Sequence, residues 1–162
     1  MRLGMPNGAT SAVIDGQINP GETHSFSVRG NQGQPMLVQL ESGADEAGLS
    51  MMSQGGTFFL RPGVADFWRG SLPQAGVYYL GVYGGARRSD YRLHVTLAPR
   101  VVFKEGEDSA TIIGRTPDGT VSALSIFALK GAKLVLTLSG TGTEAAMSVE
   151  GFADRKSYLE SS

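Results

Sequence analysis

The chain has 162 residues and a mass of 17.1 kDa, enough for one large domain or two small ones. Hydrophobic residues make up 41%, charged residues only 18%, and the net charge is −1, which excludes a disordered tail, a coiled coil and a charge-driven nucleic-acid binder. Cysteine is absent and histidine occurs twice, so disulfides, thiol catalysis, cysteine zinc sites and a multi-histidine metal site drop out together.

The first residues, Met1 to Pro6, have no apolar stretch of the kind a signal peptide needs. No run approaches the ~20 apolar residues of a membrane-spanning helix. Two readings of location follow: a cytoplasmic protein, or a periplasmic or secreted one whose signal has been removed. From there period-2 alternation dominates. His24, Phe26 and Val28 share one face of 23–28, and Met36, Val38 and Leu40 share one face of 35–41. Trp68 and Leu72 fall together in 66–72, Tyr78, Leu80 and Val82 in 77–83, and Tyr91, Leu93, Val95 and Leu97 in 91–97. Residues 110–114, 121–127 and 133–139 repeat the pattern. The tail 153–160 reads as a short helix or a final strand.

Turn signals separate these runs: Asn19-Pro20-Gly21, Gly30 to Gly33, Gln54-Gly55-Gly56, Leu72 to Gly76, Gly84-Gly85 and Pro117-Asp118-Gly119. Gly is abundant, with 23 residues, about twice the average share. Short strands between such turns predict an all-β, jelly-roll-like antiparallel β-sandwich.

The sequence also repeats. Shifted by 98 positions, GATSAVIDGQINPGETHSFSV from Gly8 falls on GEDSATIIGRTPDGTVSALSI from Gly106 without a gap. Apolar residues meet apolar residues beyond it, as in Phe26/Leu124, Val28/Ile126, Met36/Leu134 and Val38/Leu136. The expected organisation is a complete β-sandwich unit at 1–98 and a partial second copy at 99–162. The second copy has no counterpart of residues 67–97. Three ways of covering its apolar strands are open: packing on the first unit, a homodimer formed through the incomplete unit, which is favoured, or a continuation in a longer protein.

The order GQI (16–18), SFSV (25–28), GQ (33–34), WRGSLPQAGVYYLGVY (68–83) and YRLHV (91–95) resembles a bacterial pre-peptidase C-terminal domain. With ARR at 86–88 between the two tyrosine-bearing strands, it is most similar to the branch containing periplasmic inhibitors of g-type lysozyme. The resemblance covers the first unit and the first half of the second. It implies a small jelly-roll sandwich, an exported location and a binding role without catalysis. The 84–90 loop is short for the inhibitor branch, and a truncated second unit follows.

Candidate site residues come from alternation. Tyr79 and Tyr83 fall on the face opposite Tyr78, Leu80 and Val82. If 77–83 and 91–97 form a hairpin, that face also carries Arg92, His94 and Thr96, with Tyr83 near Arg92 and Tyr79 near Thr96. Arg87 and Arg88 sit in the loop at its end. Tyr and Arg dominate interface energies, and a guanidinium can fork onto the carboxylates of a lysozyme-type cleft. Tyr79, Tyr83, Arg87, Arg88 and Arg92 are therefore the predicted partner-binding residues. The ordinary alternative is a solvated hairpin. Trp68 and His24 read as core or strand-end residues. Asp45, Glu46, Asp66, Asp90, Glu105, Glu107, Asp108 and Asp118 read as turn and edge carboxylates without calcium-loop spacing.

No nucleophile elbow, phosphate-binding loop or metalloprotease motif occurs. The reading is a non-enzymatic protein with no catalytic residues, metal or cofactor, whose partner is another protein, with a g-type lysozyme-like hydrolase as the named candidate. No nucleic-acid or membrane partner is expected. The alternatives are an accessory peptide- or carbohydrate-binding module of a secreted hydrolase, and a structural oligomerisation module.

Overall fold

Eight strands succeed one another between Ser11 and Leu97: β1 (Ser11–Ile18), β2 (Thr23–Gly30), β3 (Pro35–Ser42), β4 (Ala47–Ser53), β5 (Phe58–Leu60), β6 (Phe67–Ser71), β7 (Gly76–Gly84) and β8 (Ser89–Leu97). The computed structural model describes residues 1–5, 9–43, 47–63, 65–114, 121–140, 146–152 and 154–159. The turns expected at 19–21, 30–33 and 54–56 place Gly21, Gly33 and Gly56 at φ of +74°, +74° and +82°, where an L side chain would be strained. The expected turn at Pro117-Asp118-Gly119, and Gly8, Asp45, Glu46 and Asp118, lie outside the described residues.

Two four-stranded antiparallel sheets result, ordered β1-β8-β3-β6 and β2-β7-β4-β5. Their inward faces form one core, with Val38, Leu93 and Val95 from the first sheet and Leu49, Leu80 and Val82 from the second entirely buried. This is the expected all-β sandwich. Trp68 lies opposite Val38 on β6, faces inward and packs edge-on against Phe59 at 6.1 Å. Tyr78 is fully buried and donates its hydroxyl to the Gln74 carbonyl at 2.7 Å.

The expected pairing of 77–83 with 91–97 is corrected. β7 lies between β2 and β4, and β8 lies between β1 and β3, in the other sheet. Residues 85–88 cross from one sheet to the other instead of closing a hairpin. The apolar faces of β7 and β8 are both inward, so they meet across the core rather than side by side. Alternation identifies the apolar side of a strand but not its neighbours.

Strands β1, β4 and β5 add to those expected. β4 is nearly buried throughout, so its sequence, AGLSMMS, does not alternate. Several glycines sit under aromatic rings within strands rather than in turns. A Cβ on Gly16 would lie 2.5 Å from the Tyr91 ring, one on Gly70 2.7 Å from Trp68, and one on Gly81 2.9 Å from Tyr83.

The chain forms two compact units, Met1–Phe127 and Ala128–Ser162. In the second, β9 (Val149–Glu150) and β10 (Ser157–Leu159) pair antiparallel, so the segment 153–160 contains a strand. The strands expected at 110–114, 121–127 and 133–139 do not form ladders among the described residues. Ser125 makes one parallel bridge, to Arg100. A strand exists only where a neighbour accepts its backbone groups, and alternation alone supplies none.

Candidate functional site

Tyr83, Arg87, Arg88 and Arg92 lie toward one end of the sandwich, where the β1–β2 turn meets the β7–β8 connection, and Tyr79 lies farther back along β7. Glu22 stiffens the turn: its carboxylate accepts from the Asn19 backbone N–H and side-chain amide, both at 2.9 Å. The backbone bond from Asn19, seconded by the side-chain one, lowers the Glu22 pKa below its usual value. Gly84 at the end of β7 donates its N–H to the Glu22 carbonyl at 2.9 Å, and its Cα packs so closely on the Asn19 carbonyl that no side chain fits.

Arg87 and Arg88 lie in the crossing segment that follows. Arg88 donates to the side-chain oxygen of Gln17 on β1. Gln17 in turn donates to Asp90 at 2.9 Å, so this end of β1 and β8 is tied together by side chains.

Arg92 faces outward on β8 with Asp15 opposite it on β1 and Glu41 opposite it on β3. Its guanidinium forks onto Asp15, Nε to Oδ1 at 2.6 Å and Nη2 to Oδ2 at 3.2 Å. The hydrogen bond to Arg92 holds the Asp15 carboxyl below its ordinary pKa, and the same bond raises that of Arg92. Arg92 is therefore already engaged within the sheet. His94, two residues on, has Nε2 3.3 Å from Glu41 Oε1, a charge contact when protonated but outside hydrogen-bond geometry. An open depression of about 310 Å³ lies here, lined by Asp15, Glu41, Ser42, Asp90, Tyr91 and Arg92.

Tyr79 and Tyr83 occupy the outer face of the opposite sheet. Tyr79 is 38% exposed and sits between Ser27 on β2 and Met52 on β4. Tyr83 lies between Thr23 and Gly48, and its hydroxyl accepts from Ser50 Oγ at 3.2 Å. Exposed Phe58 on β5 continues the surface, with the Arg61 guanidinium 5.9 Å above its ring. Two tyrosines thus lie on one face and Arg92 on the other, with Arg87 and Arg88 in the segment between. The expected neighbours Tyr83/Arg92 and Tyr79/Thr96 are not neighbours.

Sequence reasoning missed Asp15, Gln17 and Glu41. All three were legible as outward positions, but only the pairing of β1 and β3 with β8 reveals that they engage Arg88 and Arg92. His24 is half-buried at the start of β2, with Nδ1 2.9 Å from the Tyr91 hydroxyl. Among the described residues, no group of three or more His, Cys, Asp or Glu could hold a metal ion. No described helix is long and apolar enough to cross a membrane.

No protein-family model matches the sequence, and no curated protein matches it. Among solved structures, the chain is similar to PliG of Aeromonas hydrophila, a periplasmic lysozyme inhibitor of g-type lysozyme, with a TM-score of 0.51 and 21% identity. The similarity covers 59% of this chain and 93% of that one. PliG of Salmonella Typhimurium matches with a TM-score of 0.44 and 16% identity, over 60% of this chain and 96% of that one. PliG of Escherichia coli, as a mutant, matches at 0.43 and 17%, over 59% and 95%. The Aeromonas structure shares the sandwich fold with this chain.

Proposed function

We propose that this chain is a non-enzymatic, periplasmic or secreted protein that binds and inhibits a g-type lysozyme-like cell-wall hydrolase. The observation that carries the reading is the sandwich shared with nearly the whole Aeromonas PliG. The motif order around WRGSLPQAGVYYLGVY supports placing it among pre-peptidase C-terminal-like domains.

The site chemistry is consistent with binding rather than catalysis. A glycosidase needs one carboxyl that stays protonated near neutral pH beside a second that is ionised. Asp15 is the reverse of such an acid, because Arg92 keeps it ionised. An inhibitor of a carboxylate-lined cleft needs exposed cations on a rigid support. The Arg87-Arg88 segment, braced by Gln17 and by the glycine-tight packing of Gly84, offers this at the sandwich end. Tyr83 on the adjoining face would provide the flanking contact.

The test is a cell-wall lysis assay with a g-type lysozyme titrated by this protein. Activity should fall to a plateau at about equimolar inhibitor, and Arg87→Ala with Arg88→Ala should weaken inhibition at least tenfold while Arg92→Ala changes it little. Undiminished lysis at large molar excess would refute the proposal.

A further inference from the structure

The two sheets of the sandwich differ in charge. Every aspartate or glutamate within its eight strands lies in the first sheet, as Asp15, Glu41 and Asp90, and there Arg92 forks onto Asp15. The strands of the second sheet, THSFSVRG, GVYYLGVYG, AGLSMMS and FFL, hold no acidic residue. Arg29 points outward from β2, Arg2 lies alongside Ser27 at the β2 edge, and Arg61 follows β5. All three arginines are exposed, and among the described residues none of them meets a carboxylate.

Strand pairing sets these cations along an aromatic line. Arg2, Ser27, Tyr79, Met52 and Phe58 are each the paired neighbour of the next, so they cross the outer face in one row. At a strand spacing of about 4.8 Å the row is about 19 Å long. Tyr79 and Phe58 are its exposed rings, at 38% and 44%. At one end the Arg61 guanidinium stands 5.9 Å above the Phe58 ring. At the other end Arg2, Ser27, Val28, Arg29 and Val77 line a recess of about 160 Å³, so two guanidiniums border one cavity beside Tyr79. Two cations around a recess with no carboxylate suit an anion.

We infer that this face binds an acidic polysaccharide, with one carboxylate between Arg2 and Arg29, a sugar ring stacked on Tyr79, and a further ring and carboxylate at Phe58 and Arg61. The C–H face of a sugar ring fits the electron-rich face of an aromatic ring. Its hydroxyls meet those of Ser25 and Ser27, which point outward beside Tyr79. Forked guanidinium–carboxylate bonds fix the chain in place. Two other occupants fit less well. A lipid surface needs apolar groups that insert, and in these four strands only Phe58 and Tyr79 are large, apolar and exposed. An acidic peptide joins a sheet through an edge, and residues 1–3 already cover the β2 edge. Neither Arg87 nor Arg88 takes part, so this binding stands apart from lysozyme inhibition.

Calorimetric titration of the full chain with oligogalacturonate tests this without any lysozyme. Binding should weaken as salt is added. Arg29→Gln and Tyr79→Ala should each raise the dissociation constant about tenfold or more. The methyl-esterified oligosaccharide keeps the rings but not the charges, and it should bind about tenfold more weakly or worse. Arg92→Gln, which removes a cation from the other sheet, should leave binding unchanged. An unaltered Trp68 unfolding transition shows that each variant remains folded. Absence of binding, wild-type affinity in Arg29→Gln or Tyr79→Ala, or equal affinity for the methyl ester overturns the inference. Tighter binding of polyglutamate or of phosphatidylglycerol vesicles also overturns it, because the face then takes a peptide or a membrane.

Discussion

Gly16→Ala should destabilise the sandwich, although alanine is ordinarily favoured over glycine in a strand. Gly16 on β1 faces inward opposite Tyr91 on β8, whose ring lies flat across it. An alanine Cβ would stand 2.5 Å from Tyr91 Cζ and Oη and 2.7 Å from Cε1. Ordinary contact needs roughly 3.5 Å, so the ring must move by about 1 Å. Tyr91 is 5% exposed, and its hydroxyl is fixed 2.9 Å from His24 Nδ1, so it cannot swing into solvent. Overpacking of this kind costs about 1–3 kcal/mol. Loss of the Tyr91–His24 hydrogen bond adds about 1 kcal/mol. The smaller entropy loss of alanine returns about 0.5–1 kcal/mol. The net is a destabilisation of about 1–3 kcal/mol, read as a lower urea midpoint at unchanged slope. Trp68, the only tryptophan, reports the transition. In a Tyr91→Phe background the hydrogen bond is already gone, so Gly16→Ala should cost about 1 kcal/mol less. A neutral or stabilising Gly16→Ala would show that the ring does not rest on this glycine.

Two pH dependences follow from the same faces. Burial raises the Tyr91 pKa above 10.0, so the folded state favours the neutral phenol. That contribution is complete below pH 10 and is lost as the pH rises toward the folded value, as the unfolded chain ionises first. Wild type should therefore lose stability more steeply above pH 10 than Tyr91→Phe, and equal slopes in alkaline urea titrations would contradict this. The Asp15 pKa is lowered from 3.8 by Arg92, so its contribution is present above pH 3.8 and lost as the pH falls through the lower folded value. Asp15→Asn should flatten the acid limb of the stability profile, a small effect because the pair is exposed and salt-screened; an unchanged limb at low ionic strength would count against the pairing.

The class of fold was legible because alternation and glycine-marked turns are local. Phe26 and Val28, Leu80 and Val82, and Leu93 and Val95 all point inward as their period-2 spacing requires. The candidate site residues could be named by type, but their arrangement could not be read. A four-residue connection between two apolar-alternating strands suits a hairpin as well as a crossing between sheets. What decides is that β7 and β8 each lie inside a sheet, with partners 25 or more residues away in sequence, such as Asp15 for Arg92. No local signal carries that information. The strands expected at 110–114 and 133–139 illustrate the same limit, because alternation is present there without a ladder among the described residues.

The crossing changes what the arginines can do. In a hairpin, Arg92 would have joined the tyrosines and left Asp15 and Glu41 elsewhere. In the sandwich, Arg92 stands between those two carboxylates, and its charge is answered within the sheet. Arg88 is held by the uncharged Gln17, whose oxygen orients the guanidinium but brings no formal charge of its own. A guanidinium oriented by an amide retains its charge for an incoming carboxylate, whereas one forked onto an aspartate must first break two charge-assisted bonds. The preference for Arg88 over Arg92 as a contact with an acidic cleft therefore follows from the identity of their partners on β1. Replacing Gln17 by Glu should transfer Arg88 to the paired class and weaken lysozyme inhibition without removing either arginine; inhibition equal to wild type would remove the argument for Arg88.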